Sequence, residues 1–140
     1  MLYFDSSVLV CLLSSETRTE ALQAWFSKQD ADELHVSDWN VSEFYSAMAF
    51  KKRTQQVTAE QRLGAEQVFE AYLRRYFKTL PVPSACFRRA AEIVRREDVN
   101  LRAPDALHLA IVEANGMKLC TLDKKMHEAA GILEIDCLMP

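Results

Sequence analysis

Four acids stand where a carboxylate has chemical rather than merely solvating uses. Asp5 ends the apolar run Leu2-Tyr3-Phe4, and Asp123 lies just after the strand-like segment Lys118-Leu119-Cys120-Thr121. Asp105 stands beside Pro104 at the start of a helical pattern, and Glu43 lies between Val41 and Phe44 in an otherwise apolar context. Carboxylates brought into one pocket repel one another. At about 4 Å and an effective dielectric near 20, each unit-charge pair costs on the order of 4 kcal/mol. Some must then take up protons, their pKa raised by their neighbours, unless a divalent cation lets them ionise.

Each acid also has a simpler reading. Asp123 alone is an N-cap, Asp105 alone answers a helix dipole from the first turn, and Glu43 alone is a surface residue. Asp5 is the hardest to explain this way, because an acid closing a buried strand has few structural uses. The joint pattern carries the functional reading. In an open parallel sheet, ligands bind beyond the carboxyl ends of the strands, and Asp5, Asp105 and Asp123 all fall at element ends.

The elements that must position these acids alternate in type. Leu2 to Phe4 reads as a buried strand, with Ser6 and Ser7 as caps for a helix from Val8 to Leu13. A second helix spans Thr17 to Gln29, a second strand Leu34 to Val36, and Ser37 or Asp38 caps a third helix carrying Val41, Phe44, Tyr45 and Met48 on one face. Thr58 and Gln61 form a capping box for a long fourth helix with the stripe Ala65, Val68, Phe69, Tyr72 and Tyr76. Strand Leu80 to Val82 follows, then a helix capped by Ser84 with Phe87, Ala90, Ala91 and Val94 on its apolar face. Pro104 begins a helix that runs to about Asn115, with Gly116 just past its end. Strand Lys118 to Thr121, a short helix capped by Asp123 and ending at Gly131, and strand Ile135 to Leu138 complete the chain. This alternation predicts one α/β domain over residues 1–140, with a mostly parallel sheet of about five strands covered by helices on both faces.

Composition agrees. The 140 residues are 49% hydrophobic and 26% charged, enough for one core without staples. The net charge of -3 is not that of a default nucleic-acid binder, but acids pooled in a metal site lower the charge without removing basic patches elsewhere. Cys11, Cys86, Cys120 and Cys137 form no CxxC pair and sit in apolar stretches. They read as buried free thiols, as in a reducing cytoplasm. The N-terminal segment lacks the basic start of a signal peptide, and no apolar run approaches the ~20 residues that span a bilayer. A Gly-rich nucleotide loop after the first strand is missing. An aspartyl phosphotransferase would often carry a second acid where Ser7 stands, and acids placed on the third helix and at Pro104 fit a receiver domain poorly.

The sequence resembles the PIN-domain nucleases, specifically the VapC-type toxins of toxin-antitoxin pairs. The matching segments are Leu2-Tyr3-Phe4-Asp5-Ser6-Ser7-Val8-Leu9-Val10, Val41-Ser42-Glu43-Phe44, Leu101-Arg102-Ala103-Pro104-Asp105-Ala106-Leu107-His108-Leu109-Ala110 and Cys120-Thr121-Leu122-Asp123. They run almost the whole chain in the family's order, and the third is the most specific. Ser6 stands where threonine is common; both carry a hydroxyl. The resemblance implies a three-layer α/β/α sandwich with strand order 3-2-1-4-5. It implies that Asp5, Glu43, Asp105 and Asp123 bind Mg²⁺ or Mn²⁺ and cut RNA, and that the chain forms a homodimer inhibited by a small antitoxin protein. All-oxygen ligation agrees with those cations and disfavours zinc.

On that reading Asp5, Asp105 and Asp123 are the principal metal-site acids, and Glu43 completes the site directly or through a water. Ser6 and Thr121 position a phosphate or a metal-bound water, or else only cap backbone groups. Arg102, Lys124 and Lys125 flank the acids as RNA-backbone contacts, against the simpler reading of solvated charges. Trp39, Tyr45 and Phe50 read first as packing and only second as base-stacking platforms. His108, one turn after Asp105, reads as a packed, hydrogen-bonded histidine before a general acid; His35 and His127 have no partner at metal-ligand spacing. The non-enzyme alternative is a PIN-fold module that binds protein or RNA without turnover.

Overall fold

The structure is a computed structural model that describes all residues 1–140. Its elements are β1 (Leu2–Phe4), α1 (Ser6–Leu13), α2 (Thr19–Phe26), a 3-10 turn (Ala31–Glu33), β2 (Leu34–Ser37), α3 (Asp38–Arg53), α4 (Ala59–Arg75), β3 (Lys78–Leu80), α5 (Ser84–Val94), α6 (Ala103–Asn115), β4 (Lys118–Cys120), α7 (Lys124–Ile132) and β5 (Cys137–Leu138). The strands form one sheet in the order β3-β2-β1-β4-β5, every pair parallel, as expected. The chain builds outward from β1 through β2 to β3 and then returns to the other side of β1 as β4. The topological switch point therefore lies between β1 and β4, the crevice where open α/β sheets bind ligands.

Alternation along β1 divides the core in two. Tyr3 faces a cluster drawn from α5, α6 and α7, which includes Ile93, Leu109, Ile111 and Met126. Phe4 faces a second, more aromatic cluster with α1 to α4, built on Leu12, Phe26, Phe44, Phe69 and Phe77. Phe44 stacks on Phe69 with ring centroids 3.9 Å apart, which locks α3 to α4 and so sets the helix that carries Glu43.

Several element ends differ from the expectation, each for a local reason. Asp5, rather than Ser6 or Ser7, caps α1: its Oδ1 accepts from the Val8 backbone N–H at 3.1 Å. α2 starts only at Thr19, because the Thr19 hydroxyl donates to the Cys11 carbonyl (2.7 Å) and accepts from the Glu16 N–H (2.9 Å), holding the preceding residues in a turn. β3 is Lys78–Leu80 rather than Leu80 to Val82, since Pro81 and Pro83 have no N–H for the ladder. On α5 the buried stripe is Cys86, Ala90 and Ile93, while Phe87 is 52% exposed. Small residues on that stripe let α5 pack closely on α6. On α4 the stripe is narrower than expected, with Ala65 and Phe69 buried and Val68 exposed. The Thr58–Gln61 capping box, the left-handed Gly116 (φ 59°) that ends α6, and the Asp123 cap of α7 are as read. Pro104 is the second residue of α6, after Ala103. The cysteines are free: Cys11, Cys86 and Cys120 are buried and Cys137 half-buried.

Candidate active site

The crevice edge is assembled from short tethers. Asp5 follows β1 directly and is held by its own backbone, whose N–H donates to the Cys120 carbonyl of β4 at 3.0 Å. Its side chain is 1% exposed and fully engaged: Oδ1 accepts from the Ser7 hydroxyl (2.6 Å) as well as Val8, and Oδ2 accepts from the Thr121 hydroxyl (2.6 Å). Burial pushes the Asp5 carboxyl above its ordinary range, against the opposing pull of His108 and these hydrogen bonds. Thr121 does double duty, since its Oγ1 also accepts from the Asp123 N–H at 2.9 Å. One buried hydroxyl thus ties the acid after β1 to the acid after β4.

Asp123 lies at the start of α7, where its Oδ1 accepts from the N–H groups of Lys125 (2.7 Å) and Met126 (3.1 Å). Asp105 sits half-buried in the first turn of α6. Desolvation and then the Asp123 charge raise its pKa; Glu43 adds to the rise, while the Arg102 backbone and His108 oppose it. Asp105 thus feels two neighbouring carboxylates across the edge.

Glu43 projects from α3 and is about one-fifth exposed. Its Oε2 accepts from the Ser6 hydroxyl at 2.5 Å and pairs with His108 Nε2 at 2.6 Å. No protein hydrogen bond reaches Oε1. Burial acts to raise this carboxyl, but the His108 contact and the Ser6 hydroxyl outweigh it and hold Glu43 below its ordinary range. The indole N–H of Trp39 is buried without a hydrogen-bond partner.

All four acids named from the sequence therefore meet the same sheet edge, and no lysine or arginine forms an ion pair with any of them. They do not close round one point: no three Asp, Glu, His or Cys side chains are grouped tightly enough to enclose an ion. Asp5 is turned to its own helix start and Asp123 to the start of α7. Ser6 and Thr121 orient carboxylates, Glu43 and Asp5 respectively. Arg102, Lys124 and Lys125 line a cleft of about 650 Å³ together with Asp105 and Asp123, which brings the three flanking cations and two of the acids to one cavity. Trp39 is half-buried against the α5–α7 core, Tyr45 packs edge-on against Phe44 and donates to Glu70 at 3.0 Å, and Phe50 is exposed.

Sequence reasoning missed Ser7, whose hydroxyl donates to Asp5 and whose oxygen accepts from the Leu122 N–H at 3.0 Å. It also missed Tyr3, Ser37 and Asn40, which form a buried polar group under the site. The available signals were a tyrosine inside an apolar strand and an asparagine at the third position of a helix.

The PIN domain family model matches residues 2–132. Among proteins of curated function, none matches the sequence. Solved structures share the fold. Mycobacterium tuberculosis VapC20, described as a sarcin-ricin loop cleaving toxin, superposes with a TM-score of 0.72 at 16% identity, over 92% of this chain and 95% of its own. A toxin-antitoxin complex from Klebsiella pneumoniae gives 0.62 at 22% identity, over 96% and 95%. VapBC2 from Rickettsia felis, bound to a DNA fragment from its promoter, gives 0.68 at 13% identity, over 99% and 98%.

Proposed function

The chain belongs to the PIN domain family, and from that premise we propose that it is a divalent-metal-dependent endoribonuclease, the VapC-type toxin of a type II toxin-antitoxin pair. The observation that carries the reading is that four carboxylates lie along the switch-point edge with no lysine or arginine in an ion pair to any of them, Asp105 being raised by desolvation and then by Asp123 and Glu43. A hard divalent cation is the natural counter-charge for an all-oxygen donor set of this kind.

Asp5, Asp105, Asp123 and Glu43 are the residues that would hold Mg²⁺ or Mn²⁺, with Asp5, Asp105 and Asp123 as the principal acids. Bound there, the cation would supply Lewis acidity to a water and positive charge to the phosphate. The protein's own part is orientation. Thr121 and Ser7 fix the Asp5 oxygens, Ser6 fixes Glu43 Oε2, and Glu43 Oε1 is left without a protein hydrogen bond. Arg102, Lys124 and Lys125, lining the cleft with Asp105 and Asp123, hold the RNA backbone through its phosphates. Three cations lining the same cleft as the acids also reconcile nucleic-acid binding with a net charge of -3.

The VapC20 and Klebsiella descriptions support an RNA-cleaving toxin and a protein antitoxin as partner for this chain. A homodimer and a cytoplasmic setting belong to the same proposal; no helix is long and apolar enough to cross a membrane, and the four thiols are free. The reading is tested by the ends of the cleavage products. Attack by water leaves 5′-phosphate and 3′-hydroxyl ends, whereas 2′,3′-cyclic phosphate would mean that the RNA 2′-hydroxyl is the nucleophile and that the acids have another role.

A further inference from the structure

A line of buried polar groups passes from one face of the sheet to the other beneath Glu43. On the α6 side lies His108, 1% exposed, three residues after Asp105. Its Nδ1 stands 2.8 Å from the Tyr3 hydroxyl and its Nε2 2.6 Å from Glu43 Oε2. The Tyr3 hydroxyl is in turn 2.8 Å from Ser37 Oγ and 3.0 Å from Asn40 Oδ1. Asn40 Oδ1 accepts from the Ser37 backbone N–H at 2.7 Å, and its amide donates to the Phe4 carbonyl at 3.0 Å and to Ser6 Oγ at 3.3 Å. The path runs from β2 through β1 to α6 and ends on α3. Tyr3, Ser37, Asn40 and His108 are all buried, so each proton must be assigned to a protein partner.

We propose that His108 is a positioning residue for Glu43: Tyr3 orients the imidazole through Nδ1, and the Nε2–H then fixes Glu43 Oε2 so that Oε1 is presented to the acid edge. The inference rests on the reading of Glu43 as a metal-site acid.

Counting donors and acceptors supports it. Nε2 faces a carboxylate oxygen at hydrogen-bond distance, and a bare ring nitrogen there would set acceptor against acceptor; Nε2 therefore carries the proton. On the other side, the Tyr3 O–H has two acceptors within reach, His108 Nδ1 at 2.8 Å and Asn40 Oδ1 at 3.0 Å, and the phenol oxygen anchors the ring through Nδ1. The Ser37 hydroxyl can then donate to the Tyr3 oxygen, and the Ser37 N–H satisfies Asn40 Oδ1. Every member finds a partner, the condition under which a buried network rigidifies rather than weakens a site. The arrangement also couples two acids mechanically. α6 carries Asp105 at its first turn and, one turn on, the ring that sets Glu43 on α3, so one helix registers both. Groups that orient metal-site carboxylates from behind typically change metal affinity by about 10–100-fold when removed.

The test uses three substitutions in the full chain: His108→Gln, which keeps an N–H donor near the Nε2 position; His108→Asn, which keeps one only near Nδ1; and His108→Leu, which keeps neither. Mn²⁺ binding is measured by calorimetry without RNA, beside thermal unfolding of the metal-free proteins, and ring ¹⁵N shifts locate the proton in wild type. The expected result is a proton on Nε2, Mn²⁺ affinity in His108→Gln within a few-fold of wild type, and losses of about 10–100-fold in His108→Asn and His108→Leu. A purely structural histidine would instead make affinity follow unfolding temperature across the series. Folded His108→Asn or His108→Leu protein that binds Mn²⁺ like wild type, or a wild-type ring with its only proton on Nδ1, overturns the proposal. Wild type that binds no Mn²⁺ contradicts the metal-nuclease reading instead, and the ¹⁵N measurement still decides the orientation of His108.

Discussion

The acid edge has two unlike halves. Asp5 and Glu43 are held from behind: Asp5 by Ser7, Thr121 and the start of α1, Glu43 by Ser6 and His108. Asp105 and Asp123 open onto a cleft with Arg102, Lys124 and Lys125, and no side-chain hydroxyl or histidine holds either carboxylate. The difference follows from the topology. Asp5 lies at the central strand with core on both faces, whereas Asp123 and Asp105 begin helices at the crevice rim. The held half therefore sets geometry, and the open half meets the substrate. Substitutions in the held half should move metal affinity and stability together. Those around the open half should move substrate affinity and its salt dependence.

The largest expected effect is in the held half. Asp5→Asn keeps an oxygen that can cap α1 but replaces a charged ligand by an amide, so cleavage should fall to background while far-UV circular dichroism is unchanged. Survival of cleavage would break the comparison at once. Next comes Thr121→Val, which removes the hydroxyl shared by Asp5 and the Asp123 backbone. Leaving a buried carboxylate oxygen and a backbone N–H unpaired should cost about 1–3 kcal/mol in chemical denaturation, with weaker Mn²⁺ binding alongside.

The pH dependence has a definite sign. Asp5 and Asp105 have folded-state pKa values raised above their unfolded ones. Their contribution to stability is present below the ordinary carboxylate range and lost as pH rises through the raised values. Glu43, lowered, acts oppositely: its contribution is present above its unfolded value and lost as pH falls through the folded one. Glu16, Glu33, Asp98 and Glu113, away from the edge, are also lowered, so the share of the raised acids is read as a difference: as pH climbs out of the acidic range, metal-free wild type should lose unfolding temperature relative to Asp105→Asn. Added Mg²⁺ should relieve the repulsion, giving a larger gain near neutral pH than at about pH 5. A gain independent of pH would mean that the cation binds away from these acids.

Smaller effects should mark the open half. Replacing Arg102, Lys124 or Lys125 by alanine should raise KM at unchanged kcat, and each lost phosphate contact should reduce the salt slope of RNA binding by about one. An equal loss in kcat would move that residue into the held class. The smallest effect serves as a control. Gly116→Ala, at the left-handed end of α6 away from the edge, should cost about 1 kcal/mol of stability and leave metal affinity untouched.

The open half was easier to read from the sequence than the held one. Asp123 and Asp105 announce themselves by position, one as a cap and one beside a proline, and their basic neighbours adjoin them in the chain. The alternation of elements and the Thr58–Gln61 box were equally local signals. The supports of the held half come from far apart: Tyr3 meets His108 across 105 residues and Asn40 across 37. Periodicity assigns Tyr3 to the core correctly but says nothing of where its hydroxyl goes. The same limit explains Phe87, apolar and in helical phase yet exposed, because the close α5–α6 contact selects the small residues Cys86 and Ala90 instead. Asp5 shows the reverse: its spacing suggested function alone, and the structure gives it a cap to hold as well.

The most direct test of the account is to incubate the purified chain, free of any partner, with a pool of structured RNAs in EDTA, Mg²⁺ or Mn²⁺, with Asp5→Asn beside wild type. The account predicts cutting at discrete sites by wild type in Mg²⁺ or Mn²⁺, none in EDTA, and none by the variant. Cutting that persists in EDTA, or that Asp5→Asn performs as well as wild type, would contradict it.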